Sequence, residues 1–124
     1  MSRAMRDATC VFCAIIAGEA PAIMIRSWDD SIAIRPIGGV HPGHTLVIPR
    51  THVADVGVDP VVSAWTMARA AELAGELDAA NIITSRGAAA TQTVFHLHIH
   101  VVPRSHGDGL PLPWTPQQTV GGTA

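Results

Sequence analysis

One run near the C-terminus limits what this chain can fold into: His96-Leu97-His98-Ile99-His100-Val101-Val102, closed by Pro103. Imidazoles alternate with branched apolar side chains, the period-two rhythm of a half-buried strand. All three histidines then project from one face, while Leu97, Ile99 and Val101 pack on the other. A single histidine is usually a satisfied structural residue. Three of the chain's seven histidines in five residues, on one face, point instead to a site.

The 124 residues suffice for one domain with a genuine core, and 48% of them are apolar. Net charge is only −2, so no affinity for nucleic acid is expected from backbone charge. All eight basic side chains are arginine. Without lysine there is no Schiff-base chemistry and no lysine phosphate clamp. Any contact to an anion must come from arginine, histidine or backbone N–H groups. The start of the chain, Met1 to Asp7, leads into no long apolar stretch, and Val11–Ala17 is too short for a signal peptide or membrane span. A soluble cytoplasmic protein, with no membrane partner, is the expectation. Cys10 and Cys13 lie too close for an ordinary structural disulfide. In a reducing compartment they read as half of a metal site or as a redox motif.

Along the chain, a short helix is expected over Val11–Ala17, stopped by Gly18. Strands follow at Ile23–Ser27 and Ser31–Arg35 around Asp29-Asp30, then a broken loop with Pro36, Gly38, Gly39, Pro42 and Gly43, then a strand at Thr45–Ile48. Sequential short strands favour antiparallel pairing. Asp59-Pro60 reads as an N-cap and first helical residue, opening a helix that runs to Ala79. Its small-residue stripe of Ala64, Ala68, Ala71 and Gly75, with Met67 and Ala74 alongside, is expected to lie against the sheet. Val62, Trp65 and Leu73 are then left for a partner subunit. A further strand at Asn81–Thr84, a loop over Ser85–Thr91 and the histidine strand at Thr93–Val102 complete a domain over residues 10–104. An extension (1–9) and a loop-like tail (105–124) flank it. Arg35 reads as a solvated edge residue, and His41 and His106 as exposed. Asp108–Trp114 is placed either over the pocket or across a dimer, and Gln117 onward as a mobile tail.

Same-face neighbours on a strand are about 7 Å apart, so one phosphate reaches two of the three histidines and their roles must divide. A neutral imidazole attacks phosphorus without an external base, and a neighbouring imidazolium stabilises the negative charge that develops. Backbone N–H groups of the loop near Thr91–Thr93 are candidates to cradle phosphate oxygens.

Here the residues resemble the histidine triad (HIT) family. The match is Gln92-Thr93-Val94-Phe95-His96-Leu97-His98-Ile99-His100-Val101-Val102, against Gln-x-Val-x-His-φ-His-φ-His-φ-φ. Two further blocks resemble it in the same order: Cys10 to Glu19, and Pro42-Gly43-His44-Thr45-Leu46-Val47-Ile48-Pro49-Arg50-Thr51-His52. The resemblance implies an α+β fold with an antiparallel sheet of about five strands, one long and one short helix, and a homodimer. It implies a hydrolase or transferase that cleaves a bond to the α-phosphorus of a purine nucleotide conjugate. By it, His98 is the nucleophile, His100 binds or polarises phosphate, and Ser85, Thr91, Gln92 and Thr93 belong to the phosphate loop. His44 supports the triad from behind or serves structure alone.

By similarity to zinc-bearing members, His52 and His96 join Cys10 and Cys13 around a structural Zn2+. Such a closed two-Cys, two-His set leaves no position for substrate water. Two departures from the family pattern stand out. Many members bear an aspartate for the ribose hydroxyls where this chain has Pro36. The phosphate loop has Ser85 and Thr91 where asparagine and glycine are common, and Thr91 can offer its N–H only if it avoids positive φ. These departures keep open a second reading, a non-catalytic zinc-stabilised module that binds a nucleotide or a protein. A thiol redox pair at Cys10 and Cys13 lacks the βαβ context that such motifs keep.

Overall fold

The computed structural model describes residues 6–115; the start of the expected extension and the tail from Gln117 lie outside the described residues. Five antiparallel strands form one sheet in the order β1-β2-β3-β5-β4: β1 Met24–Ser27, β2 Ser31–Ile34, β3 Thr45–Pro49, β4 Ala80–Ile83 and β5 Ile99–Pro103. The short helix α1 spans Val11–Ile16 and the long helix α2 spans Pro60–Ala74. This is the α+β arrangement expected of the chain. None of its described helices is long and apolar enough to cross a membrane.

Strand alternation divides the core. Ala33, Val47, Leu97, Ile99 and Val101 face α2, where they meet Val62, Ala70 and Leu73. Ile32, Ile34, Leu46 and Ile48 face the other way and are covered by Phe12 of α1. Because α1 is only six residues long, it covers that second face in part and leaves a cleft beside the histidines.

Three expectations need correction. The buried stripe of α2 is Val62, Thr66, Ala70 and Leu73; Ala64, Met67, Ala68, Ala71 and Gly75 face solvent. Volume explains the choice, since fully burying a valine or leucine side chain stabilises by roughly 1.5–3 kcal/mol and an alanine by less. The helix ends at Ala74 with Gly75 as C-cap, before Ala79, because glycine is a poor helix former at the last turn. The histidine strand begins only at Ile99. β4 ends at Ile83 opposite His100, and β3, though it continues to Pro49, pairs with β5 no further than Val47 opposite Ile99, so the ladder to both neighbours stops there. His96 and His98 precede the ladder in extended chain, yet the alternation persists: Leu97, Ile99 and Val101 are all buried on one side. Local bonds replace the ladder, with Leu97 N donating to Val53 O at 2.8 Å and Thr84 Oγ1 donating to His98 O at 2.8 Å.

Candidate active site and metal centre

His98 and His100 stand on the wall of a cavity of about 680 Å³, with Thr93 and Val94 on one side and Phe12, Ile15, Ile34 and Leu46 on the other. The hydrogen bonds around the rings settle which nitrogen carries the proton of each neutral imidazole. A carbonyl oxygen only accepts, so the 2.8 Å contact between His98 Nδ1 and His96 O puts the proton on Nδ1. The lone pair of His98 is therefore on Nε2. The edge of Phe12 packs on the His98 ring at 5.1 Å between centroids and holds its plane.

A second chain of bonds fixes His100. Val40 N donates to His44 Nδ1 at 3.2 Å, which leaves the proton of His44 on Nε2. That group donates to His100 Nδ1 at 2.9 Å, so His100 carries its own proton on Nε2. One ring thus presents a lone pair and its neighbour a proton, with centroids 5.2 Å apart. Burial pushes His100 down to about 4, with the nearby His98 and His44 acting in the same direction. Burial likewise lowers His44, with smaller contributions from Arg35 and His41.

His96 lies behind this pair and is fully buried. Its Nε2 donates to Pro49 O at 2.8 Å, which frees the Nδ1 lone pair. That nitrogen sits 3.0 Å from His52 Nδ1, 3.4 Å from Cys10 Sγ and 3.6 Å from Cys13 Sγ, while Cys13 Sγ is 3.3 Å from His52 Nδ1. All four donor atoms lie within 4.8 Å of one another, positioned to bind one metal ion. The donor chemistry, two thiols and two imidazoles at these spacings, fits tetrahedral Zn2+. Backbone N–H groups already point at the sulfurs, from Cys13 to Cys10 Sγ and from Asp7 to Cys13 Sγ, both at 3.3 Å, and would stabilise thiolate charge. Burial pushes the Cys13 thiol up, so a cation is what makes two thiolates tenable there. The cluster joins the N-cap of α1, the segment after β3 and the segment before β5.

The loop residues are placed unevenly. Thr93 lines the cavity; Ser85, Thr91 and Gln92 do not border it. Thr91 adopts φ +72, and its N–H is taken by Ala88 O in a 3-10 turn. Gln92 is buried and acts as a staple: Oε1 accepts from Gly87 N, and its two N–H donors go to Ala54 O and Val94 O. Arg35 is not a solvated edge residue, since Nη1 donates to Gly43 O at 2.9 Å and also reaches Thr45 Oγ1. No residue of Asp108–Trp114 lines the cavity, and Arg104 holds Asp108 at 2.7 Å through an ion pair. Phe12, Val40, Pro49 and Thr84 escaped the sequence reading. Two of them act through backbone atoms, which leave no trace in residue type.

A family model described as the HIT domain matches residues 17–107. An uncharacterised HIT-like protein of Mycobacterium tuberculosis is 46% identical over 108 residues, covering 82% of this chain and 75% of that protein. The adenosine 5′-monophosphoramidase of Saccharomyces cerevisiae is 34% identical over 117 residues, covering 91% of this chain and 74% of that enzyme. Among solved structures, a Zn-bound histidine triad family protein from Mycobacterium smegmatis superposes with a TM-score of 0.74 at 46% identity, covering 83% of this chain and 80% of that one. Two histidines of the triad on one cavity wall, the third in a four-donor cluster behind them, and a match over most of the sequence lead to one conclusion: the chain belongs to the HIT family.

Proposed function

We propose that this protein is a nucleotide hydrolase or transferase that cleaves a bond to the α-phosphorus of a nucleoside monophosphate conjugate through a nucleotidyl-His98 intermediate. The observation that carries this reading is the proton arrangement at the cavity wall: a His98 lone pair on Nε2 beside a proton on His100 Nε2. The phosphoramidase activity in the name of the yeast relative supports the same class of substrate, a purine nucleotide joined through its phosphate to an amine.

In the first step His98 Nε2 forms a bond to phosphorus as the bond from phosphorus to the leaving nitrogen breaks, and the departing amine takes up a proton from solvent water. His100 donates a hydrogen bond to a phosphoryl oxygen as charge builds. Water, or the hydroxyl of another acceptor, then attacks phosphorus and gives up its proton to solvent, as the bond from phosphorus to His98 Nε2 breaks and returns the lone pair to that nitrogen. Thr93, which lines the cavity, holds the phosphate or the leaving group in this reading. Cys10, Cys13, His52 and His96 would hold Zn2+, which would supply a structural tie between α1 and the histidine segment.

The same reading includes a homodimer. Val61, Trp65 and Met67 expose apolar surface on the solvent face of α2, and Ile82 and Ile83 do so on the edge strand β4. Two free cysteines accord with a reducing, cytoplasmic setting.

The deciding experiment supplies adenosine 5′-phosphoramidate to wild-type protein and to His98→Ala. Wild type is expected to turn it over and to show an AMP adduct on His98 by mass spectrometry after rapid quench. The variant is expected to do neither while still binding one zinc per chain. Turnover by His98→Ala would overturn the proposal. Tight nucleotide binding by wild type with no adduct and no turnover would favour a non-catalytic binding module.

A further inference from the structure

Arg35 borders two adjoining cavities: the one that holds His98 and His100, and a second of about 620 Å³ where Val40, His41 and His44 form part of the wall. Among the described residues no other arginine and no carboxylate lines either cavity, so its guanidinium is the single fixed charge on their walls. Most arginines of this chain are neutralised. Arg6, Arg26, Arg69, Arg86 and Arg104 each pair with a carboxylate. Arg35 does not. Its hydrogen bonds all leave from Nη1, to Gly43 O, His44 O and Thr45 Oγ1. A guanidinium has five N–H donors, and those on Nε and Nη2 have no partner among the described residues. A half-buried cation without a counter-ion bears a desolvation cost that an anion in the cavity would offset.

His41 adds a second donor to the same cavity. Gly43 N donates to its Nδ1 at 2.8 Å, so the proton of the neutral ring is on Nε2. Strand pairing sets the separation from the triad. Thr45, which the guanidinium contacts, lies opposite Val101, and Leu46 beside it lies opposite His100. Adjacent strands are about 4.8 Å apart, which puts the guanidinium roughly 5–10 Å from His100. One small molecule spans that distance with two acidic groups.

Building on the nucleotide reading above, we infer that Arg35 and His41 form a subsite for a second acidic group of the substrate. The favoured conjugates then carry a phosphate, sulfate or carboxylate besides the phosphoryl group at His98. That group is joined either through the leaving group or on the sugar; to Arg35 both present the same chemistry, a planar or tetrahedral oxyanion that accepts from its fork.

The test is calorimetric binding of AMP, ADP and adenosine 3′,5′-bisphosphate to the full-length zinc-loaded protein at one ionic strength. ADP adds its acidic group across the α-phosphorus, and the bisphosphate adds it on the sugar. One of the two is expected to bind roughly tenfold or more tighter than AMP, and which one does so tells where the group is joined. Arg35→Gln should bring that ratio to within about twofold of unity, and Arg35→Lys, which keeps the charge without the fork, should retain part of the gain. His41→Ala should lower the ratio by a smaller factor, and it leaves the bonds from Arg35 to Gly43 and Thr45 untouched. A gain short of tenfold for both compounds, or one that survives Arg35→Gln, would overturn the subsite alone. Failure of all three nucleotides to bind at millimolar concentration would overturn the nucleotide reading with it.

Discussion

His44 Nε2 lies 2.9 Å from His100 Nδ1, and the backbone N–H of Val40 on the far side of His44 fixes the direction of that hydrogen bond. In the hydrolase reading His44 is thereby a positioning residue, because it decides which nitrogen of His100 carries the proton. His44→Leu should lower kcat by roughly 10–100-fold with little change in KM, since a misplaced proton weakens only the transition state. His44→Gln places an N–H near the same point and should recover much of the loss. Equal activity of the leucine variant and wild type in steady-state kinetics would refute the role.

The pH dependence of stability follows from the same pair. His100 is held at about 4 in the folded protein, chiefly by burial, against an ordinary value of 6.5. Between these values the unfolded chain binds the proton and the folded chain does not, so stability falls as pH drops through that window. Above 6.5 the contribution of neutral His100 is complete, and below 4 no further loss accrues from this group. Urea titrations of wild type and His100→Gln, both zinc-loaded, should differ in unfolding free energy by an amount that moves in the variant's favour from neutral pH toward about 4.5. A pH-independent difference would show that His100 titrates alike in both states.

Much of this site was legible because its groups announce themselves by type and spacing. Cys10 and Cys13 bracket one helical turn, and Asp59-Pro60 opened α2 as expected, with Asp59 Oδ1 accepting from Val61 N at 3.0 Å. Gly18 stops α1 at φ +77, a conformation that penalises a Cβ. The alternation from His96 to Val101 also told which side chains share a face. Where that alternation stops being a strand was not legible, because the limit is set by Ile83 and Val47 on neighbouring strands. The buried stripe of α2 was misread because small and large apolar residues occupy two adjacent faces, and only the depth of the sheet groove selects the larger ones. Gln92 carried a polar side chain in the right loop, yet three loop backbone groups capture it.

Removing the metal should loosen the N-terminal helix first. A helix of six residues has too few internal hydrogen bonds to persist alone, and α1 is anchored by Phe12 and by the cysteines. Cys13→Ser, or exhaustive chelation of wild type, should lower Tm by on the order of 10 °C and expose Phe12. Scanning calorimetry with metal analysis checks this, expecting one zinc per chain before chelation. An unchanged Tm after complete loss of zinc would remove the structural role.

The hydroxyl of Thr84 does for His98 what the sheet does for His100. His100 is held in the ladder between Leu46 and Ile83, whereas His98 lies one step beyond the last paired residue. Its carbonyl takes its hydrogen bond from Thr84 Oγ1, at the end of β4. Thr84→Val keeps the shape and removes the donor, leaving that carbonyl unpartnered at a cost of about 1–2 kcal/mol. The peptide at His98 is then free to rotate, and the ring it carries loses its aim at phosphorus, so kcat should fall along with stability. Thr84→Ser retains the hydroxyl and should keep kcat near wild type even if the lost methyl lowers Tm slightly. Urea unfolding and single-turnover measurements on the two variants separate these effects. A valine variant with wild-type kcat would mean that Phe12 and the His96 carbonyl are sufficient to hold the His98 ring.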